Sequence, residues 1–150
     1  MRLDWNDFGE AALKLAVEVD KDFCPDVIAG VGKSGMIPAS IIAKKLGVDE
    51  IYSVVASLYG EGKPPVRLYE EPKIGSSSMK SLRGRKVLVV DDFVATGTTM
   101  DKVEKIISDL DAEEVKTAVI GLRKSSMHRP DYVSMTFDGC LLFPWDPPPE

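Results

Sequence analysis

The sequence predicts an α/β domain, with a parallel sheet at its core and helices on both sides. Three observations predict it. Strand-like and helix-like segments alternate along the 150 residues. Two short runs, Asp26 to Val31 (DVIAGV) and Lys86 to Val90 (KVLVV), are apolar on both faces, as strands covered on both sides must be. The length fits one domain with a single sizeable core, so residues 1–150 are expected to form one unit.

The elements follow in order. Trp5, Phe8, Ala12, Leu15 and Val19 recur at helical spacing and predict an amphipathic first helix. DVIAGV is the first buried strand. A helix from about Met36 to Leu46 follows, stopped by Gly47. Ile51 to Leu58 is the next strand. From Gly60 to Arg85 the pattern breaks down among glycines, prolines and serines, with one strand-like piece near Val66–Tyr69. A poorly periodic stretch of this length inside a compact domain indicates a functional lid or disorder. KVLVV restores order. After a polar loop, Met100, Val103, Ile106, Ile107 and Leu110 mark one face of a helix, and Val115 to Gly121 is a strand. The tail from Arg129 to Trp145 carries short strand-like pieces and is expected to form a small cap.

Composition narrows the function. A net charge of −5 argues against a general nucleic-acid binder, which depends on neutralising phosphates. It leaves a small phosphorylated ligand open, because backbone N–H groups hold a phosphate whatever the global charge. Cys24 and Cys140 have neither metal spacing nor a disulfide framework, and His128 is the single histidine, which argues against zinc. No apolar run reaches membrane-spanning length, and the N-terminus MRLDWNDFGE has acidic residues where a signal peptide is apolar. Residence in the cytoplasm is the expectation.

In parallel α/β sheets, ligands bind beyond the carboxyl ends of the strands, near the topological switch point. Two segments fall there. In Asp91 to Thr99 (DDFVATGTT), Thr96, Gly97, Thr98 and Thr99 open a helix whose first N–H groups lack partners and point outward at its positive end. The threonine hydroxyls add donors, and Gly97 admits a close approach. That combination suits a phosphate monoester. The adjacent carboxylates of Asp91 and Asp92 repel one another unless a ribose diol or a hydrated Mg²⁺ binds them. The other segment, Gly30-Val31-Gly32-Lys33-Ser34-Gly35, is a glycine turn into a helix.

As a whole, VLVVDDFVATGTT closely resembles the motif of type I phosphoribosyltransferases that binds 5-phosphoribosyl 1-diphosphate (PRPP). The resemblance implies the fold of that family, with a flexible flap at about 59–84 and a C-terminal hood at about 123–146. It implies that Asp91 and Asp92 act on the ribose hydroxyls, that Asp92 meets Mg²⁺, and that Ala95, Thr96, Gly97, Thr98 and Thr99 hold the 5′-phosphate. GVGKSGMIPASIIAKKLG looks like the pyrophosphate loop of the small xanthine/guanine/hypoxanthine enzymes, which implies pyrophosphate contacts by Gly32, Lys33, Ser34 and Gly35. Lys33 replaces the family's usual arginine, a point charge in place of a bidentate fork. Ser57-Leu58-Tyr59-Gly60 resembles the start of the flap, which would bring Leu58, Tyr59, Lys63 and Arg67 over PRPP. Leu122-Arg123-Lys124, RPDYV and LLFPWD resemble the hood. By that likeness Lys124 donates to an exocyclic oxygen of the base, Cys140 and Leu141 adjoin it, and Asp146 reaches the metal or the pyrophosphate.

Two departures bear on the base. Ala95 stands where the 6-oxopurine enzymes carry a presumed catalytic aspartate. Cys140 stands where an aromatic ring stacks on the base, and a thiol gives up much of that surface. Glu61, Glu70 and Glu71 on the flap are candidate replacements for the missing general base. The reaction expected is Mg²⁺-dependent transfer of phosphoribosyl from PRPP to a nucleobase, an oxopurine before adenine or a pyrimidine. The products are a nucleoside monophosphate and pyrophosphate, as in nucleotide salvage. A PRPP sensor without transferase activity is the alternative, and a homodimer is expected by analogy.

Overall fold

A computed structural model describes residues 1–57, 73–77 and 81–148 of the chain, with residues 55–57 and 73–77 described by backbone alone. The elements are α1 (Trp5–Asp22), β1 (Val27–Val31), α2 (Gly32–Leu46), β2 (Glu50–Ser57), β3 (Lys73–Ser77), β4 (Lys86–Val94), α3 (Thr98–Asp109), β5 (Glu114–Arg123) and β6 (Tyr132–Phe137). They form a sheet in the order β3-β2-β1-β4-β5-β6, parallel throughout except for antiparallel β3 at one edge. The fold class read from the sequence is thus observed. No helix among the described residues is long and apolar enough to cross a membrane.

Two apolar layers cover the sheet. Phe8, Leu15 and Val19 of α1 and Ile42 of α2 pack on Ile28, Leu88 and Ile120 on one face. Met100, Val103 and Ile107 of α3 pack on Val27, Val54, Val89 and Val119 on the other. Each fully buried side chain of this size stabilises the fold by about 1.5–3 kcal/mol. Helix α1 starts at a reciprocal capping box, in which Asp7 N–H donates to Asp4 Oδ1 at 2.8 Å and Asp4 N–H to Asp7 Oδ2 at 3.2 Å. Trp5 departs from the expected apolar stripe: it is 60% exposed, with its ring against Phe8 and Trp145. As the first helical residue it overhangs the end of the core.

Four element boundaries differ from expectation, each for a local reason. Helix α2 begins at Gly32 instead of about Met36, because Gly32 (φ 63°) turns the chain directly out of β1. Gly30 makes room for it, since a Cβ there would lie 2.5 Å from Met36 Sδ. Strand β4 runs to Val94 instead of Val90, so Asp91 and Asp92 sit on its last turnless residues and not in a loop. Backbone pairing of Asp91, Phe93 and Val94 with Val119, Gly121 and Leu122 holds that extension despite the polar side chains. Within the segment expected to be irregular, Lys73–Ser77 forms the edge strand β3, paired with β2 through a register shift. An edge position tolerates glycine and small residues. The strand-like piece at Val66–Tyr69 lies outside the described residues. Finally, the strand-like part of the tail joins the main sheet as β6, where Ala118 to Arg123 pair with Tyr132 to Phe137.

The N-terminal segment closes the fold by pairing with the C-terminal one. Leu3 N–H donates to Leu142 O and Leu142 N–H to Met1 O, both at 2.9 Å. Phe143 and Trp145 stack at 4.9 Å and meet Phe8 edge-on.

Candidate active site

The strand order reverses between β1 and β4, and the first candidate segment meets the acid pair there. Gly35 of α2 lies so close to β4 that a Cβ would come within 3.0 Å of Val90 O and 3.1 Å of Asp91 Oδ1. Ser34, one residue earlier, lies near enough to the Asp92 carboxylate to favour its ionised form. Pro38 cannot donate to the Ser34 carbonyl, so that oxygen is released from the helical ladder at the same end. Val31 caps α2 without any side-chain hydrogen bond, leaving its first N–H groups for a ligand. Lys33 is exposed beside them.

Asp91 is buried, and its Oδ1 accepts the Asp92 N–H at 2.8 Å. Burial pushes the Asp91 carboxyl well above the ordinary carboxylate range, and the neighbouring Asp92 charge pushes the same way. Asp92 is also raised by burial, against hydrogen bonds from Asp91, Ser34 and the backbone that favour its ionised form. Among the described residues, none of the groups acting on either carboxyl is a cation. The pair therefore suits a positive or hydroxylated ligand. Among the described residues no three His, Cys, Asp or Glu side chains converge to cage a metal. A cation held by Asp91 and Asp92 would complete its shell with ligand oxygens and water, as Mg²⁺ does in phosphate sites.

Five residues past Asp92, at Gly97, stands a second candidate anion site. Gly97 caps α3 with φ 94° and supplies no side-chain cap. Thr96 Oγ1 and Thr98 Oγ1 lie 3.2 Å apart, and Thr98 N–H reaches Thr96 Oγ1 only at 3.4 Å. Thr96 and Thr98 are exposed, with Ala95 and Thr99 half-buried beside them. Free N–H groups, a glycine backbone and hydroxyls thus share one helix end, as its sequence indicates.

On the other side of β4 the structure adds residues that the sequence did not single out. The Arg123 guanidinium lies 5.5 Å from the centre of the Phe93 ring, and Phe93 faces Phe137 at 5.2 Å. Arg123 Nε is buried and has no hydrogen-bond partner among the described residues, which is costly unless a ligand or another group supplies one. Gly121 makes room for this cluster, since a Cβ there would meet Leu141 and Phe137 at 2.6 and 3.0 Å. Leu141 is buried against it, whereas Cys140 is exposed and its carbonyl accepts from the Met1 amino group at 3.1 Å. Lys124 points to Asp138, with Nζ 3.0 Å from its carboxylate in an exposed pair.

Asp146 fastens the C-terminal turn: its Oδ2 accepts the Phe143 N–H at 2.7 Å and its carbonyl accepts from Arg2 Nη2 at 2.8 Å, which leaves Oδ1 for a further contact. Leu58, Tyr59, Lys63 and Arg67, with Glu61, Glu70 and Glu71, lie outside the described residues. Arg123 left one sequence signal, its place beside Lys124 at the carboxyl end of a strand. Phe93 left another, an aromatic directly after the acids.

Comparisons with known proteins agree with this geometry. A family model described as a phosphoribosyl transferase domain matches residues 3–149. The xanthine-guanine phosphoribosyltransferase of Desulfotalea psychrophila is 28% identical over 149 residues, spanning 96% of this chain and 84% of that one. The transcriptional regulator GfcR of Methanocella arvoryzae is 26% identical over 130 residues, spanning 79% of this chain but only 62% of that protein. A crystal structure of a purine phosphoribosyltransferase from Pyrococcus horikoshii superposes with a TM-score of 0.88 at 28% identity, covering 100% of this chain and 96% of that one.

Proposed function

This chain belongs to the phosphoribosyltransferase family, and we propose that it transfers the phosphoribosyl group of PRPP to a purine base, releasing pyrophosphate, in nucleotide salvage. The observation that carries this reading is the convergence of Asp91, Asp92, Ser34 and Gly35 where the sheet reverses, in line with the open end of α3.

The residues divide the substrate between them. The α3 end, Ala95 to Thr99, takes the 5′-phosphate, and Asp91 and Asp92 take the ribose hydroxyls. The start of α2, Gly32 to Gly35 with the Lys33 charge, takes the pyrophosphate. Mg²⁺, held through Asp92 and the substrate oxygens, would neutralise charge on the leaving pyrophosphate. As the bond from C1 to pyrophosphate breaks, positive charge grows on the ribose ring. The negative charge of the acid pair would stabilise it at short range. A base nitrogen then bonds to C1 and loses its proton to water or to the departing pyrophosphate. On the nucleobase side Phe93, Phe137 and Leu141 offer an apolar wall, and Arg123 offers an unused donor for an exocyclic oxygen. An oxopurine therefore suits this side better than adenine.

A second reading is a PRPP-binding regulator without transferase activity. It is favoured by Ala95, by an exposed Cys140 where relatives stack an aromatic, and by the similarity to a transcriptional regulator. The experiment that separates the two is pyrophosphate release from PRPP and Mg²⁺ with hypoxanthine, guanine, xanthine and adenine in turn. Turnover with an oxopurine, lost in Asp91→Asn/Asp92→Asn, supports the transferase. PRPP binding without turnover on any base supports the regulator.

A further inference from the structure

We propose that His128 is a positioning residue for the phosphate loop, clasping Gly97 and the first turns of α3 from the β5–β6 connection, and that its protonation tightens PRPP binding. This rests on the reading of Ala95 to Thr99 as the phosphate site.

The contact is intimate. A Cβ on Gly97 would lie 2.1 Å from His128 Cβ and 3.1 Å from its backbone N and Cα, so the loop glycine is the seat on which His128 rests. The imidazole is only 8% exposed. Its Nδ1 lies 2.5 Å from Asp101 Oδ1, and its Nε2 lies 3.4 Å from Glu104 Oε1. Asp101 N–H in turn donates to Gly97 O at 2.9 Å, the bond that begins the helix. One side chain thus spans the cap, the first turn and the second.

The connection that presents it is itself fastened. Ser126 is buried and its Oγ donates to His128 O at 3.2 Å. Arg129 Nη1 donates to Ser126 O at 2.6 Å, and the Asp131 carboxylate accepts the Thr117 N–H at 2.8 Å. Motion of the loop at Gly97 is therefore opposed by a segment anchored to β5.

The surroundings of the ring suit a charge. A neutral imidazole that donates from Nδ1 to Asp101 turns a buried Nε2 lone pair, without a hydrogen-bond partner among the described residues, towards the Glu104 carboxylate. With both nitrogens protonated, the positive ring stands between two carboxylates, in hydrogen bond with Asp101 and 3.4 Å from Glu104 Oε1. Burial raises the Glu104 carboxyl and the His128 charge opposes that rise, so the two groups communicate. Asp101 and Glu104 face the ring from α3; Arg129 and Asp131 are the charged neighbours on its own connection, and Ala95 to Gly97 carry no charge.

His128 is the single histidine, so its proton magnetic resonance is unambiguous. The test has two arms on the full chain: titration of that resonance with and without PRPP, and PRPP binding from pH 5.5 to 8 in wild type, His128→Gln and His128→Asn. Reciprocity requires PRPP to move the histidine midpoint upward if protonation favours PRPP. Loss of a hydrogen bond worth about 1 kcal/mol corresponds to roughly fivefold weaker PRPP binding at low pH in both variants. The phosphates of PRPP titrate equally in all three proteins, so the difference between profiles isolates the ring. Thermal melts establish that the variants fold, and the more conservative Asn variant retains a donor for Asp101. Identical PRPP affinities and pH profiles in wild type and a folded variant overturn the role of His128 alone. Failure of the wild type to bind PRPP overturns the phosphate-site reading, and this proposal with it.

Discussion

Asp91→Asn should stabilise the ligand-free protein while abolishing its use. Asp91 is buried, its carboxyl is raised by burial and by Asp92, and no cation among the described residues acts on it. Two carboxylates within hydrogen-bond reach repel by about 4 kcal/mol at an effective dielectric near 20. Sharing a proton relieves part of that, leaving about 1–3 kcal/mol for the substitution to recover. The amide oxygen can still accept the Asp92 N–H that now lies 2.8 Å from Asp91 Oδ1. In a chain of this size the gain corresponds to roughly 3–10 °C in melting temperature. The sign with pH follows from proton counting. An acid raised on folding binds more protons in the folded state, so its contribution weakens stability as pH climbs from about 3.9 through the raised value. Melting at pH 5 and pH 8, with and without Mg²⁺ and PRPP, tests this. The variant should gain more at pH 8 than at pH 5, and ligand should raise the melting temperature of the wild type only. A variant less stable than wild type at pH 8 would refute the reasoning.

Other substitutions report on the remaining parts. Gly97→Ala must adopt the left-handed region, at about 1–2 kcal/mol, and collide with His128, at about 1–3 kcal/mol more. Urea unfolding should show a loss of about 2–5 kcal/mol, and an unchanged midpoint would contradict the seat described for His128. Arg123→Met should lower kcat/KM for oxopurines by roughly 10- to 100-fold, the worth of a hydrogen bond from a charged donor, and leave the KM for PRPP unchanged. Equal discrimination between oxopurines and adenine in both proteins would remove Arg123 from the base site. Tyr132→Phe deletes the hydroxyl that donates to Asp22 across α1 and β6. Burial and Asp22 hold that hydroxyl in its protonated form, above the usual tyrosine range. Its loss should cost about 1 kcal/mol in chemical unfolding without altering PRPP binding.

Much of this molecule is legible along the chain because its signals are local. KVLVV announces a strand buried on both sides, and the threonines with Gly97 announce an open helix end. What escaped depends on residues distant in sequence. β6 is defined by its register with Ala118 to Arg123, and Tyr132 to Phe137 alone resemble any short strand. Arg123 gains meaning from Phe93, thirty residues earlier, whose ring it covers. His128 gains it from Gly97 and Asp101. The turn that Asp146 fastens is equally hidden, because it depends on the backbone N–H of Phe143 meeting its carboxylate. The end of β4 misled for a different reason. Polar Asp91 and Asp92 read as loop residues, yet backbone pairing with β5 continues past them.

Calorimetric titration of PRPP with Mg²⁺ into the wild type and into Asp91→Asn/Asp92→Asn tests the central claim most directly. The double variant removes both carboxyls of the pair, and with them negative charge, from a chain of formal net charge −5. A ligand attracted only by charge would bind it better. Binding to the wild type that is lost in the double variant is the predicted result, since the acid pair engages the ribose and the cation. Equal or tighter binding by the variant would contradict the claim that this pair is the heart of a PRPP site.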